Sequence, residues 1–357
     1  MAVVGMSVSL GMITGCSDTS SSSPESAPPS AEKSPTGTAT HRVEVVRTDF
    51  DTDEITRLPW VRRGATTMPR SIPDPNSPLP SLLTHLPGRA VLVVNPRITV
   101  LGAPVASWSD LRLEFYGADH RWTRLSLGDL GLPDSQTALD TYGAGLLSDD
   151  GRWWAGGTRD GIVALDLETG RVHTYSGVDL GTWIPGQHAI LGNHRTISIP
   201  SGQTTHVPYS WSTAGFAPDG TPLSWQRTGH RATALVAWTG DTHRQVATVS
   251  DLKPPPGGRF APVQATEGRA ASTESTEPRV WISVVDTRSG RIIATLDHDP
   301  GSALTYQAWT DRDTFVIAQT PYFLVWNPGS GRLSRVTDAG SLTGAYWDVS
   351  LAAPSTS

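Results

Sequence analysis

The chain has 357 residues, 37% hydrophobic and 17% charged, with 35 glycines, 28 prolines and a formal charge of −6. So much Gly and Pro breaks helices and long strands alike and points to many short strands joined by turns, and one all-β unit can reach this length. The charge is spread along the chain without the basic stripe that a nucleic acid partner needs, and the single cysteine, Cys16, excludes internal disulfides and thiolate metal clusters.

Residues 1–13 are small and apolar with no charged side chain. The run is shorter than the roughly 20 residues that span a bilayer but fits the core of a secretory signal. It leads into Ile13-Thr14-Gly15-Cys16, which resembles the bacterial lipobox, although no Lys or Arg precedes the apolar run. That resemblance implies removal of residues 1–15 and fatty acylation of the Cys16 thiol with diacylglycerol, whose two chains hold stably to a membrane where one would not. Residues 17–40 are rich in Ser, Pro, Thr and Ala and lack large apolar side chains, so residues 16–40 read as a disordered tether. The tether would span roughly 25–30 Å. The address implied is the extracytoplasmic face of the cell membrane.

From residue 41 to 352 the chain reads as β hairpins, with residues 353–357 as a tail. The first expected hairpin joins residues 43–47 to 54–58. An extended, Pro-rich crossing follows over residues 59–87, and a second hairpin joins 111–116 to 122–127. Three later segments share one pattern: Asp166-Leu167-Glu168-Thr169-Gly170-Arg171, Asp286-Thr287-Arg288-Ser289-Gly290-Arg291 and Asn327-Pro328-Gly329-Ser330-Gly331-Arg332. Asp or Asn can cap such a turn with its own side chain, and Gly supplies the positive φ that closes it. Their spacings, 120 and 41 residues, set a unit of about 40, and hairpins around Ser201-Gly202 and Gly240-Asp241 fall where that unit places them. Residues 268–279 read as a polar loop.

A second element precedes the hairpins: Ser148-Asp149-Asp150-Gly151, Ala217-Pro218-Asp219-Gly220, and a weaker copy at Trp309-Thr310-Asp311-Arg312-Asp313. These resemble the Ser-Pro-Asp-Gly turn of WD40-like and TolB-type propeller blades. Together with the lipobox, the chain is similar to bacterial β-propeller lipoproteins. The resemblance implies an all-β fold, a single β-propeller of four-stranded blades. Seven blades are expected, or six if the first hairpin is decorative, with the ring closed by pairing residues 342–351 with the N-terminal hairpin.

The chain has no phosphate-binding Gly-rich loop, no nucleophile elbow and no His-Glu-x-x-His zinc motif, and no cofactor or metal site is expected. Asp149, Asp150 and Asp219 read as turn formers rather than catalytic acids. The candidate binding face is Trp183, His188, His206, Trp211 and His230, a concentration of polar-tipped aromatics on expected inter-blade loops. The leading expectation is a membrane-anchored, non-catalytic binding or scaffold module for protein, peptide or glycan. The alternative is an extracytoplasmic carbohydrate-active hydrolase or lyase, which would need two convergent carboxylates. The anchor is testable: Cys16→Ser is expected to move the protein from the membrane fraction to the medium or leave it unprocessed. Equal membrane retention of the variant would contradict acylation.

Overall fold

The computed structural model describes residues 44–74, 76–96, 112–132, 146–158, 160–212, 214–228, 232–250, 252, 263–276, 279–298, 304–319, 322–338 and 347–352. Cys16, the residues 1–40 and the 353–357 tail lie outside them, as does His230. The first strand, β1 (Val46–Phe50), precedes a 3-10 turn over Thr52–Arg57. Next come β2 (Ala90–Pro96), β3 (Arg112–Gly117) and β4 (Trp122–Ser126), which pair antiparallel in sheet I. Sheet II holds β5 (Leu146–Leu147), β6 (Trp153–Thr158), β7 (Gly161–Asp166) and β8 (Val172–Ser176). Sheet III holds β9 (Thr182–Trp183), β10 (Ala189–Leu191), β11 (Arg195–Ser198) and β12 (Thr204–His206).

Sheet IV is β13 (Ala214–Phe216), β14 (Pro222–Arg227), β15 (Ala232–Thr239) and β16 (Thr242–Ser250). Sheet V is β17 (Gln264–Thr266), β18 (Arg269–Thr276), β19 (Arg279–Asp286) and β20 (Arg291–His298). Sheet VI is β21 (Leu304–Trp309), β22 (Phe315–Gln319), β23 (Tyr322–Asn327) and β24 (Arg332–Asp338). The last strand, β25 (Trp347–Leu351), returns to pair antiparallel with β2 and gives sheet I its fourth strand. The described strands thus form an all-β, propeller-like fold of four-stranded antiparallel sheets, in which sheets IV and V are joined through β13 and β17 and, with β1, make one nine-stranded sheet.

Local chemistry sets the turns. Asp286 Oδ1 accepts from the amides of Arg288 and Ser289 (3.1 and 2.7 Å), and Asn327 Oδ1 accepts from Ser330 N (2.8 Å). Gly290 and Gly331 take φ of 68° and 70° and donate back to the carbonyls of Asp286 and Asn327. Burial follows position in the meander. Strands β7 and β22 are apolar and buried along nearly their whole length, whereas β12 at an outer edge is exposed throughout. A strand with a sheet packed on each face has to be apolar on both, as these are.

The innermost strands β5, β9, β13, β17, β21 and β25 all contribute to one central cavity of about 360 Å³. Several are tied to a neighbour from another sheet. Leu147 N in β5 donates to Ser350 Oγ in β25 (2.9 Å), and Trp183 Nε1 in β9 donates to Leu146 O (3.1 Å). Phe216 and Gln264 bridge β13 to β17, and Trp309 Nε1 in β21 donates to Gln264 O (3.1 Å).

Three sequence expectations are corrected. Residues 43–58 do not form a hairpin: β1 pairs parallel with the outer edge of β20, and the turn over Thr52–Arg57 buries Ile55 (1% exposed) in the sheet V–VI core. In the expected second strand, residues 54–58, the apolar Ile55 and Leu58 are three residues apart, a helical rather than an alternating spacing, and both pack on that core. The expected terminal pairing is likewise replaced, because β25 meets β2 rather than β1. Residues 269–276 are not a loop but β18, paired along its length with β19, with Ala270, Ala271 and Ser272 buried. Small side chains hide a strand from hydropathy while its backbone ladder still forms.

The described part of residues 59–87 does cross between the sheets, through turns and a 3-10 helix at Leu82–Thr84 rather than as one extended run. It bridges β24 at Trp60 and Ser71 and β4 at Ser81, covering two outer edges. Arg124 on β4 pairs with the fully buried Glu114 at 2.5 Å and donates to Ser77 O (2.9 Å), holding the crossing down. Deleting residues 347–357 removes β25, exposes the edge of β2 and opens the cavity. The truncated protein is expected to aggregate or to melt far below the parent in a cooperative scan; a parent-like melt would show that β25 is dispensable.

Candidate functional site

At the end of the molecule where the first and second strands of each sheet are joined, Asp-containing turns line up around the cavity mouth. In each, the carboxylate accepts an amide two residues on: Asp150 from Arg152 N (3.0 Å), Asp219 from Thr221 N (2.9 Å) and Asp311 from Asp313 N (2.7 Å). Of the three acids expected to shape turns, Asp150 and Asp219 do so through these bonds. Asp149 and Asp150 also join sheet II to sheet III. Gly186 N donates to Asp149 Oδ2 (2.7 Å), and His188 Nε2 donates to Asp150 Oδ2 (3.2 Å). Partial burial pushes the Asp150 carboxyl up, but bonds from the Ser148 hydroxyl, the Arg152 amide and His188 outweigh it and hold the group below its ordinary range.

From this mouth a cleft of about 760 Å³ runs outward between sheets IV and V. Its floor is apolar, built from Phe216, Leu223, Leu235, Ala237, Ala265 and Trp309. Its rim carries Arg244, Arg269, Arg312 and Glu267 together with the turn acids. Arg269 is committed, donating to Arg312 O and pairing with Asp313 at 2.9 Å. The Arg244 and Arg312 side chains have no hydrogen bond or ion pair among the described residues.

Why the cleft opens here can be read from one register position. The residue just before each Asp/Asn hairpin pairs with the second strand: Leu165 with Trp154 in sheet II, Trp326 with Phe315 in sheet VI, but Val285 with Ala270 in sheet V. Trp154 fills the junction of sheet II with sheet I, and Phe315 fills that of sheet VI with sheet V. Ala270 places only a methyl group at the equivalent position, in a junction with sheet IV whose buried core includes Trp225.

Of the expected binding face, Trp183 and Trp211 both border the central cavity, His188 and His206 lie at opposite ends of β10, and His230 lies outside the described residues. Trp183 is 7% exposed, lies on β9 and packs against Trp153 and Ile190 in the core. His188 sits at the mouth against Asp150, at the start of β10. His206 and Trp211 lie at the other end of β10, where His206 neighbours the His194 ring at 6.4 Å and Trp211 N donates to Gly192 O. Trp211 is 40% exposed and borders the central cavity. Among the described residues no three His, Cys, Asp or Glu side chains converge as a metal site requires.

No family model matches the sequence, and no curated protein matches it. Solved structures with a similar fold include a hydrazine synthase of Kuenenia stuttgartiensis (12% identity, TM-score 0.35), covering 53% of this chain and 64% of that one. A WD40 domain of Toxoplasma gondii coronin (14%, TM-score 0.35) covers 54% and 56% respectively. TolB of Acinetobacter baumannii (12%, TM-score 0.29) covers 61% and 68%. The chain spans less than two thirds of the first two, and at these values the likeness is one of general fold alone.

The clamp at Asp150 gives a pH test. A carboxyl held below its unfolded value adds stability above about pH 4 and loses it as pH falls further. Asp150→Asn is therefore expected to lower the melting temperature at neutral pH, with the gap to the parent closing in acid. A gap that stays constant with pH would mean that the carboxylate charge at Asp150 adds nothing.

Proposed function

We propose that this chain is a six-bladed β-propeller that acts as a non-catalytic binding module, taking a peptide segment or a glycan unit into the cleft between sheets IV and V. The observation that carries this reading is the cleft itself. Its volume of about 760 Å³ lies within the usual range of ligand sites, and it combines an apolar floor with a few polar groups at its rim. A junction kept only for packing would be filled, as those at Trp154 and Phe315 are. The six four-stranded meanders and the cavity shared by their inner strands support the blade number and a closed ring. The return of β25 to β2 would supply the closure, in the manner of a ring fastened by one end of the chain.

The lipobox-like Ile13-Thr14-Gly15-Cys16 supports placing the module outside the cytoplasm on a lipid anchor. The carbohydrate-hydrolase reading is weaker, because the turn acids at the mouth are engaged in shaping turns and joining sheets. Screening the protein on peptide and glycan arrays beside Ala265→Trp tests the proposal. Ala265 is half-buried on the cleft floor, and the new ring would occupy the space. Ligands of the parent are expected to bind the variant at least about tenfold more weakly, a loss of about 1.4 kcal/mol, at an unchanged melting temperature. Equal binding by the variant, or no ligand in either class, would overturn the reading.

A further inference from the structure

The crossing segment that covers sheet VI holds three arginines, Arg62, Arg63 and Arg70, a fourth, Arg57, just precedes it, and no acidic residue lies between Glu54 and Asp74. A fifth, Arg335, comes to it from β24. The backbone there is pinned: Val61 N donates to Arg335 O (2.9 Å) and Arg335 N donates to Pro59 O (2.8 Å). Trp60 stands 39% exposed, with the Arg335 and Arg70 guanidiniums 4.6 and 4.9 Å from its ring centre. Those two arginines also serve the backbone, Arg335 Nε donating to Leu58 O (3.1 Å) and Arg70 to Val61 O.

Arg62 and Arg63 follow at once. Both are exposed, and neither side chain has a partner among the described residues. Chain connectivity alone keeps their Cα atoms within about 11 Å of that of Trp60. Arg335 is thus brought from far along the chain to an exposed indole that Arg62, Arg63 and Arg70 closely follow in sequence.

We propose that this surface docks on the anionic headgroups of a phospholipid bilayer. Guanidinium forks match phosphate oxygens in geometry as well as charge. An exposed indole prefers the boundary between headgroup and acyl chain, where its apolar ring and N–H are both accommodated. A soluble anion would use the arginines but leave Trp60 without a role. A chain of net charge −6 is repelled by an anionic membrane except where such a patch faces it. The inference does not depend on acylation of Cys16, and its test leaves the anchor out.

The test is co-sedimentation of the full-length, unacylated Cys16→Ser protein with phosphatidylcholine vesicles made with and without phosphatidylglycerol. Binding is expected only to the phosphatidylglycerol vesicles, and it should fall as salt is raised. Each arginine near an anionic surface contributes about fivefold in affinity. The pair Arg62→Gln and Arg63→Gln should therefore bind about 25-fold more weakly at an unchanged melting temperature, and Arg62→Glu with Arg63→Glu more weakly still. Binding that ignores phosphatidylglycerol, or that survives both pairs of substitutions, overturns the proposal. So does displacement by inorganic phosphate alone, which would mark a soluble-anion site. Failure here leaves the cleft reading untouched, because none of these residues borders the cleft.

Discussion

Among the described residues most strands lie in four-stranded sheets with two faces to bury, and only neighbouring sheets can cover them. The architecture therefore depends on how well each sheet-to-sheet junction is filled, since interiors pack to crystal-like density and unfilled space costs dispersion contacts. Large rings meet that demand at most junctions. Phe115 and Trp154 meet edge-on at 6.3 Å between sheets I and II, and Phe315 stands perpendicular to Trp326 beside Trp309 between sheets V and VI. Sheet V offers Ala270 and Val285 instead, packed with Trp225 and Leu235 of sheet IV in a junction that also borders the cleft.

The outer edges face the opposite problem, because an unpaired strand invites pairing with another chain. Three consecutive sheets have their edges covered by the chain's own N-terminal part: β1 lies along β20, and the crossing segment touches β24 and then β4. Trp326 helps to fix β1 by donating from Nε1 to Thr48 Oγ1 (3.2 Å), so the core of sheet VI and the covering of sheet V are coupled through one side chain. Such long-range contacts cost loop-closure entropy that local hairpins avoid. The crossing is rich in proline, which lowers that cost by narrowing the unfolded ensemble.

What was legible in the sequence was what local chemistry decides. The turns at Asp166, Asp286 and Asn327, and those at Asp150 and Asp219, are set by a side-chain oxygen, a glycine and the few residues between them. What stayed hidden was decided by partners far away in the chain. Nothing near residues 46–50 reveals a parallel partner at 294–298, and nothing in residues 269–276 marks a strand except the ladder offered by β19. Trp183 shows the same limit: its neighbours in sequence read as a loop, yet its ring belongs to the core because Leu146 O and Trp153 wait for it.

The cleft was missed for a related reason. Its most conspicuous groups in the sequence are the acids, and these are the ones already spent on structure. Asp149 is bound by Gly186, Asp150 by three donors, and Asp219 and Asp311 by their own turns. Arg244 and Arg312 remain uncommitted at the rim, and in the sequence they look like ordinary polar residues beside a hairpin and a turn. A carboxylate that shapes a turn contributes its charge to the rim but cannot reorient toward a ligand without releasing the amide it holds. An unpaired guanidinium on a flexible stem can reorient, and it meets a ligand without first breaking a bond. In the binding role proposed for this cleft, discrimination would therefore fall to the arginines and the apolar floor, while the acids fix the geometry in which they act.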